Sequence, residues 1–101
     1  MYVRLYLSAI DPSDLAALQK VFNEDVRPTL IQQRGCESVE LVANVDRNAG
    51  GLVEGAALTR WQTLEDLEFA LAQREVQESI VRVRELLRQE PVTKTYEVLE
   101  G

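Results

Sequence analysis

Leu52-Val-Glu-Gly-Ala-Ala-Leu-Thr-Arg-Trp61 is the run that decides how the chain is read. It is short and rich in apolar residues. Ala49-Gly50-Gly51 precede it, and Gln62-Thr63 open a helical pattern after it, so it predicts a β-strand running into a helix. The only tryptophan of the chain closes the run. The largest side chain is thereby carried to the rim of a sheet, where it serves either as the floor of a pocket or as a plug in the core. Gly55, inside the run, predicts a β-bulge.

Immediately upstream, Cys36 to Asp46 alternates Val39, Leu41, Ala43 and Val45 against Ser38, Glu40, Val42 and Asn44, a second strand. The segment Asp46 to Gly51 between the two is turn-forming, so they predict a hairpin. Further back, Tyr2 to Ile10 alternates Val3, Leu5, Leu7 and Ala9 against Tyr2, Arg4, Tyr6 and Ser8. A helix follows: Asp11 is a fitting N-cap, Pro12 suits the first helical position, and Leu15, Leu18, Phe22 and Val26 recur every three or four residues. Pro28 predicts a kink before a last turn through Leu30 and Ile31, and Gly35 predicts the stop. Downstream of Trp61, Thr63 to Asp66 resembles a capping box. Leu64, Leu67 and Leu71 form a stripe there, Gln73-Arg74-Glu75 predicts a break, and Val76, Ile80, Val83 and Leu87 continue the helix to Pro91. Glu78 and Arg82 are spaced for an i, i+4 pair. Val92 to Leu99 predicts the last strand.

The order is β-α-β-β-α-β, which predicts an α+β, ferredoxin-like single domain over residues 1–101 with a four-stranded antiparallel sheet. Hydrophobic residues make up 46% and charged residues 28%, ordinary globular values, and no apolar run approaches the roughly 20 residues that span a bilayer. The start of the chain has no basic segment followed by a long apolar one, which predicts a cytoplasmic, non-membrane protein. A net charge of -6 opposes nucleic-acid binding. Histidine is absent and cysteine occurs once, at Cys36. The commonest general base and haem ligand are therefore missing, as is any intrachain disulfide or cysteine-based zinc cluster.

Helices cover one face of such a sheet, and the other needs a partner. On the first strand, Val3, Leu5 and Leu7 are expected to face the helices. Arg4, Tyr6 and Ser8 are then expected on the bare side, enclosed by a homodimer that packs two sheets face to face.

The segments Arg27 to Leu41, with its Gly-Cys step, and Thr59-Arg60-Trp61-Gln62-Thr63-Leu64-Glu65-Asp66-Leu67 resemble the antibiotic biosynthesis monooxygenase family of the dimeric α+β barrel superfamily. The resemblance runs over essentially the whole chain. It implies a homodimer that oxygenates a small quinol-like or polyketide-like aromatic without metal, flavin or other cofactor. The haem-degrading branch of the family uses a histidine on the second helix, and this chain has Leu71 and Ala72 in that region.

Cofactor-free oxygenation needs a phenolate that can give an electron to O2 in a site that excludes water. Tyr6, Trp61 and Glu40 are the candidate catalytic residues: Tyr6 to stabilise the anion, Glu40 as base, and Trp61 to stack on the ring or donate its N–H. Arg4, Asn44 and Thr59 are the candidate substrate-binding residues. Each also has a plainer role. Trp61 can fill a core, Arg4 and Glu40 can pair across strands, Asn44 can belong to the turn, and Cys36 can be a small buried hydrophobe. The alternative function is a non-catalytic dimeric barrel that binds a small hydrophobic molecule. An RNA-binding sheet would need aromatics on central strands and a basic face.

Overall fold

A computed structural model describes all 101 residues of the protein. Strand β1 (Tyr2–Ile10) is followed by a single turn of 3-10 helix and a helical run of three parts: α1 (Leu15–Val21), a π-helical segment (Phe22–Val26) and α2 (Arg27–Ile31). Strands β2 (Cys36–Arg47) and β3 (Val53–Trp61) form a hairpin. Helices α3 (Leu64–Leu71) and α4 (Arg74–Arg84) precede β4 (Val92–Glu97). The four strands make one antiparallel sheet in the order β2-β3-β1-β4, the α+β, ferredoxin-like arrangement that the element order predicts.

Local chemistry sets the boundaries. Asp11 caps the first turn by accepting from the Ser13 backbone N–H, and Thr63 caps α3 by accepting from the Asp66 N–H at 3.0 Å. The Asp66 carboxylate does not reach back to close a capping box; it takes the Arg34 guanidinium at 2.7 Å. Gly35 ends the first helical run at φ 79°, where a Cβ would lie 2.1 Å from the Asp66 carboxylate, so both the backbone and the space demand glycine. The break expected near Gln73 is present between α3 and α4.

The π-helical segment replaces the expected kink. In an α-helix, three steps of four residues turn a stripe by about 120°, so Leu18, Phe22, Val26 and Leu30 would drift off one face. A wider turn, in which the Arg27 N–H reaches the Phe22 carbonyl, gives part of that rotation back. It also relieves the clash that the Pro28 ring would have with the carbonyl four residues earlier. Phe22 and Val26 are buried against Val39, with Leu30 packed beside them.

Three expectations about individual elements are corrected, and a fourth concerns the sheet. Helix α4 stops at Arg84 rather than near Pro91, because the following segment is lashed to β1. The Arg88 N–H donates to the Ala9 carbonyl at 2.9 Å, and the Ser8 hydroxyl donates to the Gln89 carbonyl at 2.7 Å. The irregularities fall not at Gly55, which pairs in register with both Ser8 and Ala43, but in β2, between Cys36 and Ser38 and again between Ala43 and Arg47. Gly55 instead permits close approach, since a Cβ there would meet the Val42 carbonyl at 3.0 Å. Finally, Arg82 pairs with Asp25 on the first helical run, and Glu78 pairs with Arg74.

The largest correction concerns the faces of the sheet. Ile10, Leu18 and Val53 form one core cluster, and Trp61, Leu67 and Ala70 another, with Tyr2 packed against the second. The helices thus cover the face carrying Tyr2, Arg4, Tyr6, Ser8 and Ile10. Val3, Leu5 and Leu7 lie on the bare face, opposite Arg60, Leu58 and Ala56 of β3. Alternation in β1 identifies two faces correctly. The apolar set is simply not the one under the helices, because the helix-covered face surrounds a cavity that admits polar groups.

Candidate functional site

The cavity lies between the helix-covered face of the sheet and the helices, and measures about 170 Å³. Its floor is built from β1 and β3, the two central strands. Gly55 and Ala57 point to the helix side, and their lack of bulk beneath Val76, Ile80 and Val83 leaves the space unfilled. Leu41 of β2 and Leu18, Phe22 and Val26 of the first helical run complete a mostly apolar wall.

Four of the six candidate residues meet here: Arg4, Tyr6, Thr59 and Trp61. Antiparallel pairing sets Arg4 opposite Thr59, Tyr6 opposite Ala57, and Tyr2 opposite Trp61. Directly opposed side chains on one face start about 5 Å apart, and diagonal ones about 7–8 Å, so Arg4, Thr59 and Trp61 form one group. The indole is 1% exposed. Its N–H donates to the Thr59 hydroxyl at 2.8 Å, so it is already satisfied, and the Thr59 proton is the donor left free.

Tyr6 is the outstanding polar group. Its hydroxyl is buried and has no hydrogen-bond partner, which is uncommon because such an atom loses its water without compensation. Burial pushes its phenol above the ordinary value; Arg84 pulls it down and Glu90 pushes it up. It is therefore a neutral O–H donor at neutral pH. Arg4 forms none of the ion pairs of the molecule. Its one side-chain hydrogen bond is a donation to the Thr95 hydroxyl at 3.3 Å, on the exposed edge strand β4. Burial lowers its pKa, yet a guanidinium keeps its charge. The wall contains no carboxylate.

Glu40 and Asn44 are not brought to this cavity. Glu40 pairs opposite Leu58, on the bare face. Asn44 lines a second, more polar depression with Glu54, Gln89, Glu90 and Lys94, and its side-chain oxygen accepts from the Asp46 N–H at 3.0 Å. The physical reason is register: Thr59 pairs with Val39 and Leu58 with Glu40, so Glu40 shares a face with Leu5 rather than with Tyr6. Cys36 packs against the Trp61 cluster, and burial pushes its thiol up to about 11, which makes it inert. No three His, Cys, Asp or Glu side chains converge as metal ligands do.

The sequence reading missed Ala57 and Ser79. The Gly55-Ala56-Ala57 run in a central strand was the signal for a void. Ser79, 1% exposed between Val76 and Ile80, stands on the buried stripe of α4.

Solved structures share this architecture over nearly their whole length. A structure of an antibiotic biosynthesis monooxygenase superposes with a TM-score of 0.72 at 15% identity, covering 99% of this chain and 100% of the other. The chain has the fold of the antibiotic biosynthesis monooxygenases. Rv0793 from Mycobacterium tuberculosis shows it at a TM-score of 0.73 and 18% identity, covering 99% of this chain and 96% of its own. A variant of SnoaB from Streptomyces nogalater, a cofactor-independent oxygenase, shows it at 0.72 and 16% identity over 99% and 95%. No protein-family model matches the sequence, and no curated protein matches it. The monooxygenase fold is thus established here by shape rather than by sequence, and no helix is long and apolar enough to cross a membrane.

Proposed function

We propose that the protein is a cofactor-independent monooxygenase acting on a small phenol or quinol, with Arg4, Tyr6, Thr59 and Trp61 as its working residues. The observation that carries this reading is the buried, unpartnered Tyr6 hydroxyl in an apolar cavity that also receives a guanidinium free of any carboxylate. Donors set in a mostly apolar wall stabilise an anionic oxygen. That is the form in which a phenol gives an electron to O2. The overall change would be a phenol plus O2 giving a para-quinone plus water. The phenolate passes one electron to O2, and the phenoxyl radical and superoxide join at the para carbon as a peroxide. Loss of the para proton with cleavage of the O–O bond leaves one oxygen as the new carbonyl. The other departs as hydroxide and becomes water with a proton. Four electrons leave the ring and four reduce O2, so no external reductant enters.

Arg4 and Tyr6 would hold the developing anion, while Trp61 packs against the ring and Thr59 fixes the indole. Glu40, on the far face of the sheet, has no route to this proton, so the substrate must be acidic enough to ionise without a protein base. The same absence of a carboxylate or histidine in the wall favours a second reading, a non-catalytic carrier of a small aromatic.

Oxygen uptake with a panel of phenols that carry hydrogen at the para carbon separates the two. The first reading expects turnover that falls at least tenfold in Tyr6→Phe and in Arg4→Met. Quenching of Trp61 fluorescence with no uptake from any of these phenols would leave only the carrier. We also propose a homodimer formed through the bare face of the sheet, in the cytoplasm. Its support is the exposure of apolar side chains there: Val42 at 44%, Val92 at 53% and Tyr96 at 50%.

A further inference from the structure

We propose that the ligand is a single-ring aromatic acid whose carboxylate lies on Arg4 and Tyr6 while its ring rests against Trp61. The inference rests on the reading of this cavity as a ligand site, but not on whether any turnover occurs there.

Size decides the number of rings. A cavity of about 150 Å³ with apolar walls takes up benzene, and the space here is about 170 Å³. One substituted ring fills it; two or three fused rings require the walls to move. Those walls are held. The floor is strand backbone paired on both sides, since Ala57 faces Tyr6 on one flank and Leu41 on the other. The roof helix α4 is tied to the first helical run by Asp25, which accepts from Ser79 at 3.0 Å and from Arg82. Buried close-packed groups of this kind resist displacement.

Charge decides the substituent. Of the polar side chains in the wall, Ser8 and Ser79 donate to Gln89 and Asp25 and Gln19 is exposed, which leaves the Arg4 guanidinium, the Tyr6 O–H and the Thr59 O–H as the donors. No carboxylate is present to neutralise the arginine or to bind a cationic ligand. Arg4 also reaches the exposed edge strand through Thr95, so a charged group placed on it sits near water while the ring lies inward. That arrangement suits an amphiphilic ligand with an apolar ring and one anionic end. A neutral ring of equal size would leave the Tyr6 hydroxyl unpaired, and an amine would meet the guanidinium with like charge.

Titration calorimetry and the fluorescence of Trp61, the only tryptophan, test this with four probes: 4-hydroxybenzoate, its methyl ester, 6-hydroxy-2-naphthoate and anthracene-2-carboxylate. The expected result is saturable binding of 4-hydroxybenzoate, at least tenfold weaker binding of the ester, weaker binding of the two-ring acid and none of the three-ring acid. Arg4→Met should bring acid and ester to within about twofold of each other while the ester still binds, and Arg4→Lys should keep most of the preference. Retained ester binding reports that the Arg4→Met protein is folded. Equal or tighter binding of the three-ring acid, equal binding of acid and ester by the unaltered protein, or an acid preference that survives Arg4→Met would each overturn the proposal. Because the readout is affinity, a protein that binds these probes and consumes no oxygen with any para-unsubstituted phenol sinks the monooxygenase and leaves this assignment standing. One that turns over only polycyclic quinols does the reverse.

Discussion

At the level of single residues, the Thr59–Trp61 pair explains how a large indole can line a cavity without being a reactive group. Thr59 is 5% exposed and accepts the indole N–H. The two positions are separated by one residue, so they share a face of β3. Thr59→Val keeps the shape but strands a buried donor, which costs about 1–3 kcal/mol. In a domain of this size that lowers Tm by roughly 4–8 °C per kcal/mol. Thr59→Ser keeps the acceptor and should stay within about 1 kcal/mol of the parent. Thermal melts of both variants check this. If valine and serine proved equally stable, the hydroxyl would not be holding the ring, and Trp61 would be fixed by packing alone. Tyr6 is the converse case: its hydroxyl lacks a partner in the empty site, so Tyr6→Phe should be neutral or slightly stabilising while it weakens binding.

At the level of elements, the clamp between the π-helical segment and α4 controls the roof of the cavity. Asp25 lies in that segment because the wider turn rotates it toward Ser79 and Arg82. Its carboxyl is held below the ordinary 3.8, first by the hydrogen bond from Arg82, then, against the opposing effect of burial, by Ser79, the charge of Arg82 and Thr29. A depressed native value means that the stabilisation is complete above the unfolded value and fades as the pH falls through the native one. Asp25→Asn should therefore cost about 1–2 kcal/mol at pH 7, discounted for the half-exposed Arg82. Urea titrations at pH 7, 5 and 3 should show the gap narrowing only below about pH 4; a gap constant across that range would remove the ionised clamp. The same elements show how far a sequence can be read. Caps at Asp11 and Thr63, the stop at Gly35 and the stripes of α1 and α4 were legible because propensity and periodicity act locally. Two things were not. Alternation in β1 separates Val3, Leu5 and Leu7 from Arg4, Tyr6 and Ser8, but it contains no information about which set the helices cover. The partner of Arg82 could not be found either, since Asp25 stands 57 positions away and local spacing offered Glu78. The first of these displaced Glu40 from the proposed centre; the second hid the roof clamp.

At the level of the whole molecule, the correction of the sheet faces separates assembly from the site. Leu5 and Leu58 are cross-strand neighbours at the centre of the bare face, flanked by Leu7, Val3, Ala56 and Val42. This face is the one that a second copy would cover, and a stable pairing buries about 800 Å² on each partner. The cavity, in contrast, opens on the opposite side of the sheet, where Arg4, Tyr6, Thr59 and Trp61 of the same chain line it, although Val42 and Ala56 also contribute to its wall. A copy docked on the bare face therefore touches none of Arg4, Tyr6, Thr59 or Trp61 in its neighbour. Leu58→Glu sets a charge at the centre of the apolar patch, where burying it unpaired costs several kcal/mol. Light scattering should show the unaltered protein as a dimer at micromolar concentration and the variant as a monomer. The variant should melt at a lower temperature, since the contribution of the partner is lost by mass action. Its affinity for 4-hydroxybenzoate should nonetheless lie within about threefold of the parent, because the ligand is held by the protomer. A folded Leu58→Glu monomer with no measurable affinity would mean that the second copy completes the site, contrary to the single-chain cavity. A monomeric unaltered protein would refute the sheet-to-sheet dimer and leave the cavity as described.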